Sequence, residues 1–126
     1  MSRRLIAVLG ATGLALMAQH ALAHHGWGGQ IREPFELSGT LHTAVDLSGP
    51  HGTMQIQDEN GQIWDITLAP PSRCQRAGLT ADVIPVGSAV SIVGNRNADM
   101  NRHEVKTMRV TYNGKNYDVY PDRVGR

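Results

Sequence analysis

From Leu37 onward the chain alternates. Leu37, Gly39, Leu41, Thr43, Val45 and Leu47 share one parity, while Ser38, Thr40, His42, Ala44 and Asp46 share the other. A period of two places successive side chains on opposite faces, so this stretch predicts a half-buried strand with Gly39 at a bulge or bend. The pattern returns in shorter pieces, each closed by turn-forming residues. Ser48-Gly49-Pro50-His51-Gly52 predicts a turn, and Thr53 to Gln57 a second strand with Met54 and Ile56 inward. Asp58-Glu59-Asn60-Gly61 reads as a hairpin turn, because Asn-Gly tolerates positive φ. A third strand, Gln62 to Leu68, then buries Trp64, Ile66 and Leu68.

The run of strands breaks at Ala69-Pro70-Pro71-Ser72, where proline suits the first turn of a helix. Arg73 to Ala77 predicts that short helix, with Gly78 as its C′ residue, and Thr80-Ala81-Asp82 opens one further helical turn. Val86-Gly87-Ser88 leads into a fourth strand, Ala89 to Gly94, with Val90 and Ile92 as core. A polar loop, Asn95 to Arg102, separates it from a fifth strand, His103 to Tyr112. Asn113-Gly114 turns the chain into a last strand, Lys115 to Tyr120, and the tail 121–126 is expected to fray. Three strands, one helix, then two or three strands is the order of an OB-fold. The expected class is therefore mainly β: a small OB-like barrel of five to six strands over 36–120, with one short helix between strands three and four. A lipocalin-like barrel needs more strands, and an immunoglobulin sandwich has no place for the helix.

The first 23 residues read as an export signal. Met1-Ser2-Arg3-Arg4 is a positive start, Leu5 to Met17 an apolar core, and Gln19 to Ala23 a cleavage region. The apolar run falls short of the ~20 residues that span a bilayer, so no membrane span is expected after processing, and the location implied is periplasmic or secreted. Loss of Arg3 and Arg4 leaves ten basic residues against 11 acidic ones. That balance argues against a strong electrostatic pull on nucleic acid. Cys74 is the single cysteine, so no intramolecular disulfide staples the domain and its stability rests on the apolar core.

Cleavage after Ala21-x-Ala23 would make His24 the first residue, followed by His25-Gly26-Trp27. It would place a free amine, of pKa roughly 7.7–8, beside two imidazoles near 6.5. His24 then chelates through amine and Nδ1, closing a six-membered ring; His25 instead offers its ring, the deprotonated amide and the same amine. Such nitrogen donors suit late first-row metals, copper foremost. His51, on a turn, is the candidate to complete a site resembling a histidine brace. Residues 24–35 form an N-terminal arm; its glycine-rich start, His24 to Gly29, is expected to be mobile with Trp27 as one hydrophobic anchor.

Other chemistry-bearing residues have plainer expectations. His42 and His103 read as solvated strand positions, Met54 and Met108 as core filler, and Met100 as a loop residue with a soft sulfur. Cys74 reads as a buried small residue, since no Cys–His arrangement accompanies it. Arg73, Arg76, Arg96 and Arg102 could gather as an anion patch, but a solvated face explains them as well. The strand-two and strand-three face (Thr53, Gln55, Gln57, Asp65, Thr67) carries no stacking aromatics, unlike a nucleic-acid platform. No catalytic motif is present, so no enzyme is expected.

With these residues in view, the chain resembles a family of small exported bacterial proteins of unknown function whose mature chains start His-His-Ser-Phe or His-His-Gly-Trp. The features that carry the resemblance are His24-His25-Gly26-Trp27, Leu37-Ser38-Gly39-Thr40-Leu41, Gly49-Pro50-His51, Arg76-Ala77-Gly78 and the run Val86 to Gly94, in that order. Gly49 stands where that turn usually has Asn, and Cys74 lies within the helix. The resemblance implies an exported compartment and this architecture, with no activity attached. Two expectations follow: a metal-binding protein using His24, His25 and His51, or a module recognising a small molecule or protein partner on the barrel face; a third, ranked behind them, is a copper oxidase or oxygenase using the brace.

Overall fold

Strand β1 (Phe35–Asp46) has 12 residues where β2 (Thr53–Gln57) and β3 (Ile63–Thr67) have five each. Its length lets one half pair with β4 (Ala89–Arg96) and the other with β2. This computed structural model describes residues 27–125. After β3 come a single helix, α1 (Pro71–Arg76), then β4, β5 (Glu104–Tyr112) and β6 (Lys115–Asp118). The sheet order is β3-β2-β1-β4-β5-β6, and a parallel β3–β5 pairing closes the first five strands into a barrel with β6 added outside. This is the OB-like arrangement the element order predicts.

The strand alternation survives with one interruption. Leu37, Leu41 and Val45 are buried, but Thr43, on the same parity, is exposed. The β1–β2 register shifts between Leu41 and Thr43 and again between Thr43 and Asp46. Each shift adds one residue to β1 and reverses its facing, so the first turns Thr43 outward and the second restores Val45 to the core.

Gly94 and Gly39 sit where neighbouring backbone comes close. A Cβ at Gly94 would fall on the Lys106 carbonyl oxygen and 2.9 Å from Thr107 Cα; one at Gly39 would fall on the Gln57 carbonyl oxygen. Glycine is what lets these strands approach. At the first site the β4–β5 register slips between Val93 and Gly94, leaving Met108 as the extra residue of β5. Met108 is buried but outside the core cluster, and its carbonyl accepts the amides of Val119 (3.0 Å) and Tyr120 (3.2 Å).

Helix α1 starts two residues before the expected Arg73, because Pro70 and Pro71 already supply the first-turn backbone. It ends in a Schellman motif: Leu79 N–H donates to Cys74 O and Gly78 N–H to Gln75 O (2.9 Å each), with Gly78 at φ +84°. Fully buried Leu79 makes the accompanying apolar contact. Thr80 to Val83 forms a turn, not a further helix. At the two hairpins the Asn-Gly pairs behave differently. Asn113 and Gly114 both take positive φ (52° and 76°), a type I′ turn, whereas only Gly61 does so (83°) at Asp58–Gln62.

Trp64 is the largest inward group of β3. Phe35 lies 5.3 Å from its ring and His103 meets it edge-on at 5.0 Å, while the Arg96 guanidinium sits 4.8 Å over it. Its Nε1–H donates to Asp58 Oδ2 (3.0 Å), and Asp58 Oδ1 accepts the Asn60 and Gln62 amides (2.9 Å each). One carboxylate thus fastens both the hairpin turn and the indole.

Candidate functional site

Of the three predicted metal ligands, His24 and His25 lie outside the described residues. His51 lies in the β1–β2 turn, half-buried. Its backbone is held by its neighbour: Gly52 N–H donates to Ala69 O (2.9 Å) and Gly52 O accepts Leu68 N–H (2.8 Å). A Cβ at Gly52 would press on Leu47 Cδ2 (2.9 Å) and Cys74 Sγ (3.1 Å), so the turn is packed onto the β3–α1 junction. Among the described residues no group of three His, Cys, Asp or Glu side chains could hold a metal ion. His42 is exposed, and His103 serves packing against Trp64. Cys74 is fully buried and donates to Ala69 O (3.3 Å), and burial pushes its thiol pKa up. That is the opposite of an activated nucleophile. Met54 is core, and Met100 is 59% exposed in the β4–β5 loop.

The stretch before β1 is built onto the barrel from Trp27 onward. Gly29 O accepts Ala98 N–H (3.0 Å), Gln30 bridges to Asn97, and Ile31 N–H donates to Arg96 O (2.9 Å). Asn95 Nδ2 is shared among the carbonyls of Ile31 (2.8 Å), Arg32 (3.0 Å) and Glu33 (3.3 Å). Residues 27–33 therefore form a strap across the end of β4. Trp27 is its anchor, as expected, and the ring packs edge-on against Tyr120 at 5.2 Å. The cations beside it were not legible: Lys106 Nζ lies 4.7 Å and the Arg123 guanidinium 4.3 Å from the ring centroid. Burial, and then the charge of Arg123, hold the Lys106 pKa below its ordinary value. Where the sequence predicts a frayed end, residues 121–125 turn back, with Arg123 N–H on Tyr120 O (3.0 Å).

A cleft of about 440 Å³ lies along the strap, lined by Trp27, Gln30, Arg32, Asn95 and Arg123. A second, of about 250 Å³, shares Arg32, Asn95 and Arg123 and adds Met108 and Asp122. On the opposite theme, the β1–β3 face carries a cleft of about 520 Å³ whose charged groups are Asp46, Asp65 and Glu104. Gln55 Nε2 donates to Asp65 Oδ1 there (2.9 Å), and no aromatic residue lines it. The four arginines considered as a patch fall into two pairs, Arg73 with Arg76 beside α1 and Arg96 with Arg102 at the β4–β5 loop. Arg96 stacks on Trp64, Arg102 pairs with Glu104 (3.1 Å), and Arg73 lies over Tyr120 and near Asp122 (3.9 Å). No helix among the described residues is long and apolar enough to cross a membrane.

No protein-family model and no curated protein matches the chain. Among solved structures it is similar to apo TiaS, a tRNA agmatidine synthetase (TM-score 0.47, 13% identity, 64% of this chain and 18% of that one). It is also similar to a tRNA fluorescent labelling enzyme (TM-score 0.47, 12% identity, again 64% and 18%). A ZRD-deleted mutant of TiaS in complex with agmatine gives TM-score 0.49 at 12% identity, with 69% of this chain and 26% of that one. The chain thus spans no more than about a quarter of the length of these proteins.

Proposed function

We propose that this is an exported, non-enzymatic metal-binding protein of the small periplasmic family that it resembles. In this reading, removal of residues 1–23 frees the His24 amine, and the amine, His24 and His25 take up a late first-row metal, copper foremost. The observation that supports it is the strap. Trp27, three residues beyond His24, packs on Tyr120, and Gly29 and Ile31 just after it are hydrogen-bonded at the β4 end. A chelator made at residue 24 is thereby tethered to a folded domain instead of trailing on a long free tail. His51 is the remaining candidate ligand.

The test compares Cu(II) affinity of the chain starting at His24 with the same chain acetylated at its amine, by competition against a chelating dye. Losing the support of a ligand costs 10–100-fold, so losing the amine itself is expected to weaken binding by roughly 100-fold. Equal affinities would remove the amine from the site. His51→Ala is expected to weaken binding less than acetylation, because it removes one donor and leaves the chelate ring.

One observation favours a second reading, a module that recognises a small molecule: the cleft on the β1–β3 face, which is of ligand size. Its mark is a ligand that survives His24→Ala and is lost on Gln55→Ala or Asp65→Ala.

A further inference from the structure

The strap of residues 27–33 also shapes a surface of its own. It brings Arg32 across to Arg123, so that two arginines far apart in the chain line both clefts beside Asn95. Neither side chain makes an ion pair with a carboxylate among the described residues. Arg123 and Lys106 both lie against the Trp27 ring, 4.3 Å and 4.7 Å from its centroid. The chain's charges nearly balance overall, yet positive charge collects here, and Asp122 is the one carboxylate lining the pair of clefts. Asp122 lies on the side towards Arg73 (3.9 Å).

The geometry points to an oxyanion site in this cleft, with Arg32 and Arg123 together binding a small dianion that carries phosphate or carboxylate groups. Guanidinium presents a rigid fork of donors that matches either group. Lys106, whose pKa is lowered first by burial and then by the charge of Arg123, adds a further positive group close to Arg123. The cleft is rigid where it must be, because Asn95 ties three successive carbonyls of the strap and so fixes the backbone of Arg32. Its size fits a small molecule. A nucleic-acid strand is disfavoured, since the single indole is already faced by cations and no row of stacking rings continues from it.

The test is calorimetric titration of the purified protein at low ionic strength with inorganic phosphate and, separately, succinate. The protein is first passed over an immobilised chelating resin, so that a metal held at the N-terminus cannot be the anion's partner and no free chelating carboxylate competes for the site. At least one of the two anions is expected to bind with Kd below about 1 mM. Phosphate alone, succinate alone or both would each support the site and say which group it takes. Arg32→Ala and Arg123→Ala are each expected to weaken binding by roughly tenfold, the worth of one charge-assisted hydrogen bond. Arg123→Lys should recover part of the loss, and Arg76→Ala, an exposed arginine on α1 outside the cleft, should change nothing. Circular dichroism checks that each variant is folded. Failure of both anions to bind, binding indifferent to Arg32 and Arg123, or binding of an oligothymidylate without either small dianion would overturn the proposal.

Discussion

Gly94→Ala is expected to lower unfolding stability by about 3 kcal/mol, at the upper end of what overpacking costs. A Cβ there would lie on the Lys106 carbonyl oxygen, with Thr107 Cα and Val105 Cγ1 each at 2.9 Å. Two of those three atoms belong to strand backbone, which cannot swing aside as the end of a long side chain would. The strands must part at the bulge, and Met108, whose carbonyl holds the amides of Val119 and Tyr120, is displaced with them. Gly29→Ala is the control: nothing lies within 4 Å of a Cβ at Gly29 and its φ is not positive, so it should be near neutral. Urea unfolding of both variants checks this. A Gly94→Ala protein within about 0.5 kcal/mol of the parent would show that the β4–β5 approach is not tight.

Trp64→Ala is expected to cost about 3–5 kcal/mol, the range for removing a buried large aromatic side chain. In a domain whose total stability is on the order of 5–15 kcal/mol, that loss leaves a marginal fold. The indole is 6% exposed and lies against Phe35, His103 and Arg96. Its removal also strands polar groups. Arg96 Nε is already buried without a hydrogen-bond partner, and the guanidinium would lose the aromatic face that offsets this.

Trp64→Phe separates packing from hydrogen bonding. The Trp64 hydrogen bond is the main cause holding the Asp58 carboxyl below its ordinary value of 3.8. A carboxyl whose pKa is depressed by folding contributes stability above its unfolded value, and that contribution drains away as pH falls through the folded one. The stability gap between the parent and Trp64→Phe should therefore narrow as pH drops below about 4. A gap that stays constant down to pH 2 would mean the indole–carboxylate bond contributes nothing.

Local signals carried most of the barrel. The alternation around Met54 and Ile56, the two prolines at the start of α1, Gly78 at its end and the Asn113-Gly114 turn each impose a backbone geometry by themselves, and each appears where it was expected. Thr43 escaped because a bulge is a property of two paired strands, and nothing in 41–46 alone announces it. Gly94 reads as an ordinary strand glycine until β5 is seen pressing on it.

The functional surface was less legible for the same reason. Arg32 and Arg123 are far apart in the chain and have no motif between them; only the strap's pairing with β4 brings them to one cleft. Trp27 was identifiable as an anchor from its glycine neighbours, but what it anchors to depends on a C-terminal turn expected to be loose. The histidine pair is the reverse case. The chemistry proposed for it is read from Ala21-x-Ala23 and two adjacent residues, and it lies outside the described residues.

Everything proposed about the metal requires that cleavage make a ligand which the translated chain lacks. The direct measurement is the intact mass of the protein recovered from the exported fraction. The account predicts a chain that begins at His24, with a free amine. A chain that retains Ala23 and the residues before it, or that starts beyond His24, would contradict it.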